Sequence, residues 1–223
     1  MRLRELSERS GVPTATIKYY LRERLLPPGE RVSATQAEYG EEHLRRLRLV
    51  RALIQVGRVP VATAREVLET AEDESLSQNA RMGAAVWALP HGPEPAEGDP
   101  ETAEASRQVD ALLERLGWTY GQELGATSPA YRMLVAAIAS LERLGYPHDT
   151  DHLALHARLA AELAVADLDL VEKYGGSPTE RIEAVVALTV LYEPVLLALR
   201  RLAETEESGR RFTDSRDDSR DGS

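Results

Sequence analysis

Apolar side chains recur every three or four positions along most of the chain, the spacing of one helix face. Leu3, Leu6 and Val12 predict a short helix that turns at Gly11. Ile17, Tyr20 and Leu21 form the apolar edge of a second helix, with Pro13 near its start, where a missing N–H costs little. Pro27 and Pro28 in "LLPPGE" end it. Residues 29–40 are mostly polar, with Val32 and Tyr39 as the bulky members, and predict a loop or a small two-stranded wing. From Glu41 a strongly amphipathic helix puts Leu44, Leu47, Val50, Leu53 and Ile54 on one side and stops at Gly57. Another begins at Pro60.

The rest also reads as helix. Residues 75–89 predict one with Leu76, Met82, Val86 and Trp87 turned inward. Four prolines between Leu89 and Glu101 mark a linker or mobile loop. The next helix stops at Gly117. Ser128 and Pro129 open a further one, and a long helix from residue 149 runs to the glycine pair 175–176. Ser177 and Glu180 form a capping box at the start of the last helix, where Pro194 is expected to kink or break the chain. Residues 182–199 are apolar almost all round, which suits a central helix or a subunit contact. The Arg, Asp and Ser-rich tail is expected to be disordered. The expected architecture is mainly α: a DNA-binding head over 1–74, a connecting helix and linker over 75–100, an all-helical body over 101–209 and a tail over 210–223.

Composition narrows the chemistry. The 223 residues include no cysteine, which excludes disulfides, thiolate zinc sites and thiol catalysis. No stretch of about 18 apolar residues is free of charge, so no membrane span or membrane partner is expected. The N-terminus is charged where a signal peptide needs its apolar core, and a cytoplasmic location follows as an expectation. The net charge is −10, yet residues 1–60 carry 12 Lys and Arg against 7 Asp and Glu. A basic head on an acidic body suits a small nucleic-acid module joined to a different kind of domain.

A helix-turn-helix needs two short helices at a tight turn, the second entering the major groove. "RELSERSGVPTATIKYYLRERL" meets that need, with Gly11 at the turn. Thr14, Ala15, Thr16 and Lys18 fall in the first turns of the second helix, the part that reaches base edges. Tyr19, Tyr20, Arg22 and Arg24 are placed to reach the sugar-phosphate backbone, although Tyr20 suits the core equally well.

The stretches "TIKYY", "RLLPP" and "YGEEHLRRLRLV" follow one another in order over roughly residues 1–70. In this the chain resembles the MerR family of transcriptional regulators, whose pattern runs "TLRYY", "GLLPP", a wing, then "YxxEDLxRLxxI". The resemblance implies a winged helix-turn-helix that binds double-stranded DNA at a promoter or operator. Lys18 matches the arginine of "TLRYY", Tyr19 and Tyr20 its tyrosines, and Tyr39 the tyrosine that closes the wing. Ala15 and Ala37 stand where many relatives carry arginine, and Leu21 replaces the usual glutamate. Fewer arginines mean fewer phosphate contacts, for which Arg31, Arg45, Arg46 and Arg48 would compensate; 45 and 48 share one side of a helix. Relatives bend promoter DNA when an effector binds and so act on RNA polymerase indirectly; repression by occlusion is the alternative. Relatives also dimerise through a long helix after the head. The matching stretch here is short, so a homodimer is expected to use the apolar segment 182–199.

The helical body could enclose a small apolar ligand, with Trp87, Trp118, Tyr120, Tyr131, Tyr146 and Tyr192 as candidate pocket residues and plain core packing as the alternative. His152 and His156 lie one turn apart, with His148 or Asp149 nearby, and are weak candidates for a metal site. No cofactor or enzyme motif is present. The remaining alternative is a helical adaptor whose helix-turn-helix is structural.

Overall fold

In a computed structural model, the structure describes residues 1–33, 36–173 and 176–212. Ala34 and Thr35, Tyr174 and Gly175, and the tail from residue 213 lie outside the described residues. The fold is an N-terminal helix-turn-helix followed by an all-helical remainder. Residues divide into two compact units, one made of Met1–Arg58 with the chain from Val186 onward, the other of Val59–Val185.

In the first unit, α1 (Leu3–Ser10) and α2 (Thr14–Arg22) meet at Gly11, whose φ of 67° is the left-handed conformation glycine takes at little cost. Strands β1 (Glu30–Ser33) and β2 (Gln36–Glu38) pair antiparallel as the wing, with Arg31 opposite Ala37 and a bulge between Arg31 and Ser33. The amphipathic run from Glu41 forms α3 (Glu41–Arg51) and then one π-helical turn, Ala52–Val56. Gly57 caps it as expected, but the positive φ, 55°, falls on Arg58. Leu6, Val12, Ile17, Leu25, Leu26, Leu47, Val50 and Leu53 are fully buried among these elements.

The second unit begins with α4 (Val61–Glu72) and α5 (Gln78–Trp87), which pack on each other. Leu76 and Trp87, expected inward, are exposed. The side of α5 that faces in is instead carried by Arg81 and Ala85. The proline-rich linker is tied down: Glu94 pairs with Arg132 at 2.7 Å, and Asp99 pairs with Arg143 at 2.6 Å while capping α6 (Pro100–Leu116) through the Thr102 N–H. A short α7 (Thr119–Leu124) follows Gly117, then α8 (Pro129–Leu144), capped by Ser128 as expected. Ala105, Val109 and Leu113 of α6 interlock with Val135, Ile138 and Ala139 of α8 to make the core, and α9 (Thr150–Lys173) adds Leu153.

The last helix, α10 (Pro178–Phe212), passes between the two units in sequence. The capping box forms as expected: the Ser177 hydroxyl accepts the Glu180 N–H, and Glu180 accepts the Ser177 N–H at 2.7 Å. Pro194 does not break the helix, which continues to Phe212, so residues 210–212 are helical rather than tail. Pro194 removes one hydrogen bond and crowds the carbonyl four residues back, a penalty on the order of 3 kcal/mol that the long flanking runs rich in leucine and alanine offset. Nor is α10 buried all round. Ile182, Val186 and Val190 form its buried stripe, while Val195, Leu197, Leu199 and Leu202 are exposed. An 18-residue window of it reaches a mean hydropathy of 2.0, so by length and composition it could cross a membrane. Glu183 and Glu193 nevertheless interrupt its apolar run.

Candidate nucleic-acid interface

The open side of α2 follows from its sequence. Ile17 and Tyr20 turn inward, which leaves Thr14, Ala15, Lys18 and Arg22 exposed along one face. Thr16 and Tyr19 are half-buried at its border. Lys18 makes no hydrogen bond or ion pair with any described residue. Arg22 stacks its guanidinium over the Tyr19 ring, 5.3 Å from the centroid, and lies 3.7 Å from Glu23. Both cations can therefore turn toward a polyanion at small cost.

Two of the expected contact residues, Tyr20 and Tyr39, are mostly buried. Tyr20 is only 3 % exposed, and burial pushes its phenol above the ordinary range. Tyr39 is 7 % exposed and packs edge-on against His43, with ring centroids 5.1 Å apart. Its backbone bridges the chain start: the Tyr39 N–H donates to the Met1 carbonyl and the Met1 amine to the Tyr39 carbonyl, both at 2.8 Å. His43 in turn accepts the N–H of Gly40, the cap residue of α3, at 3.0 Å. The rings of these two tyrosines are packed into the head and help to hold the wing and α2 in place.

Arg24 is exposed directly after α2, in the left-handed conformation at φ 61°. The Arg24 N–H reaches the Leu21 carbonyl and the Leu25 N–H the Tyr20 carbonyl at 2.9 Å, a Schellman ending in which an arginine occupies the position usual for glycine. Arg31 is exposed on β1, and Arg45 and Arg48 are exposed on α3. Arg46, by contrast, is buried.

Sequence reasoning missed the arginines that build the turn. Arg9 at the end of α1 grips Glu41 at the start of α3 through two bonds, 2.5 and 3.0 Å. That hydrogen bond holds the Glu41 carboxylate below its ordinary range, with Arg48 and Arg45 adding to the effect. Arg51 donates from Nη1 to the Ser10 carbonyl at 3.0 Å. Both pairs span more than thirty residues, so no local spacing could have shown them.

The ligand-pocket candidates scatter. Trp87 and Tyr120 line one groove of about 260 Å³ with Asn79, Ala80, Gly83, Ala84 and Leu124. Tyr131 packs against the α6–α8 core and donates to Asp110 at 2.8 Å. Trp118 and Tyr146 are exposed beside Gly117 and Gly145, and Tyr192 belongs to the other unit. His152 and His156 lie on an exposed face of α9 with rings 5.4 Å apart, and His156 bonds the His152 carbonyl at 2.9 Å. Among the described residues no three His, Asp or Glu side chains converge on a metal-sized site.

Residues 1–71 match the sequence model of the MerR HTH family of regulatory proteins. Over its whole length the chain is similar to a solved structure, the candidate transcriptional regulator SCO5550 from Streptomyces coelicolor A3(2). The two share 55% identity over 95% of this chain and 98% of that one, with a TM-score of 0.81. No curated protein matches.

Proposed function

This chain belongs to the MerR family of helix-turn-helix transcription regulators, which is not an enzyme class, and from that premise we propose how it works. It grips duplex DNA through α2 and the wing, as a cytoplasmic homodimer whose helical body takes a small effector. The open face of α2 is the observation that carries this reading. Thr14, Ala15 and Lys18 stand exposed in its first turns, where a recognition helix meets base edges. Arg22, Arg24, Arg31, Arg45 and Arg48 are exposed around it and are the phosphate-facing set. Polymerase is reached only through the DNA.

The dimer is assigned to α10. Tyr192, Val195, Leu199 and Leu202 are exposed at three-and-four spacing, the seam of a helix pair. Two copies are needed because one small module binds DNA weakly and a symmetric operator presents two half-sites. The short α5, ten residues long, cannot supply the usual long pairing helix.

Salt-dependent binding to the DNA flanking the protein's own gene is the direct test. The wild-type protein should prefer that duplex to a scrambled one. Lys18→Ala with Arg22→Ala should weaken binding and flatten the salt slope by about 0.9 for each phosphate no longer neutralised. Equal affinity for both duplexes would support the adaptor reading instead.

A further inference from the structure

We propose that the groove between α5 and α7 binds an uncharged, planar aromatic molecule; this rests on the effector reading above and names its site and ligand class. The floor is one face of α5, where Ala80, Gly83 and Ala84 follow at helical spacing and keep the backbone bare. The walls are Trp87 at the end of that face and Tyr120 of α7, 37 % and 63 % exposed. Leu124 closes one side, and a Cβ added at Gly83 would meet nothing within 4 Å, so the space over the floor is open.

Two aromatic side chains beside a floor of small residues suit a planar ring system, which can pack against them and removes apolar surface from water. The lining fixes the charge of the guest. It contains no Asp, Glu, Lys, Arg or His, and its polar groups are the Asn79 amide and the Tyr120 hydroxyl, neither bonded to any described residue. A charged guest would lose hydration without an ionic partner, whereas a neutral one can take one or two hydrogen bonds from these groups.

The same helix joins the groove to α4. Round α5 from the groove, Arg81 is 6 % exposed and donates from Nη1 to the Ala71 carbonyl in the last turn of α4 at 3.3 Å. α4 up to Ala71 lies within the segment that matches the regulator family. A molecule that presses on one side of α5 bears on the helix that holds α4 by another.

The test uses the full chain carrying Trp118→Phe, which leaves Trp87 as the single indole of the two in the sequence. The probe is N-phenyl-1-naphthylamine, a neutral aromatic fluorophore. Saturable energy transfer from Trp87 to the probe is expected. Tyr120→Ala should weaken it about tenfold. Gly83→Leu, which fills the groove while favouring the helix, should abolish it with unchanged circular dichroism. The sulfonated analogue 8-anilinonaphthalene-1-sulfonate should bind at least about tenfold more weakly, for want of a partner for its charge. Equal probe affinity in Gly83→Leu and its parent, or preference for the anionic analogue, would overturn the proposal. Operator binding of the parent protein, measured on the same samples, tests the DNA reading separately, whatever the probe does.

Discussion

Arg51 reaches back from the end of α3 to the carbonyl of Ser10, at 3.0 Å, and so closes the turn of the helix-turn-helix from behind. The end of α1 carries unsatisfied carbonyls, and a cation is favoured there by both hydrogen bonding and the helix dipole. Arg51 is therefore part of the scaffold that aims α2, although its charge alone would place it among the DNA contacts. Arg51→Met keeps the apolar stem and removes the bond. It should lower unfolding free energy by about 1–2 kcal/mol, read by urea denaturation, with little change in the salt slope of DNA binding.

Lys18→Ala should show the reverse. The side chain is exposed and touches no described residue, so its removal should leave the urea midpoint where it was. Binding to the operator should weaken, with a salt slope smaller by about 0.9 if its partner is a phosphate, or with relaxed preference at one base position if it is a guanine. The arginine and lysine variants together separate scaffold from contact.

Much of this head was legible in the sequence because its signals are local. Gly11, Pro13, the Pro27–Pro28 pair and the period of Leu44, Leu47, Val50 and Leu53 each fix φ, remove a donor or mark a face within a few residues. The caps at Ser128 and Ser177 are equally short-range. What escaped depends on partners far along the chain. Tyr39 looks like a surface aromatic until Met1 and His43 are placed around it. Trp87 looks like a core residue until Arg81, about a third of a turn round α5, turns out to be the one buried. Pro194 reads as a break by itself, yet the helix on either side outweighs one missing bond.

Arg24 offers a test with opposite signs in two assays. An L-residue in the left-handed region carries about 1–2 kcal/mol of strain, and family relatives have glycine in the corresponding "GLLPP". Arg24→Gly should therefore raise stability by about 1 kcal/mol. If the guanidinium meets DNA backbone, the same substitution should reduce operator affinity and the salt slope. A more stable protein with unaltered DNA binding would remove Arg24 from the contact set.

The exposed seam of α10 predicts a dimer that one charge can open. Leu199, 57 % exposed, lies at the middle of Val195, Leu199 and Leu202. Leu199→Glu puts a carboxylate into that seam and should give a monomer by light scattering, with helix content kept. Operator affinity should then fall on the order of a hundredfold, because the two half-sites no longer act together. A variant that remains dimeric would move the subunit contact away from α10.

Tyr131 supplies a pH test of the helical body. Its hydroxyl donates to Asp110 at 2.8 Å and so ties α8 to α6 beside their shared core. Burial, then the Asp110 carboxylate, pushes the phenol up to about 12 from an ordinary value of 10.0. The folded state thus keeps this proton where the unfolded chain has given it up. The contribution to stability is whole below the unfolded value, and is lost as pH rises through the folded one. Near-ultraviolet titration should find a late-ionising tyrosine component, to which the buried Tyr20 also contributes, and Tyr131→Phe should remove the part of it near pH 12. The same variant should lose less stability than the parent between pH 10 and 12, since it has no phenol at this position to titrate. An unchanged late component would mean that the Asp110 bond does not hold the hydroxyl in solution.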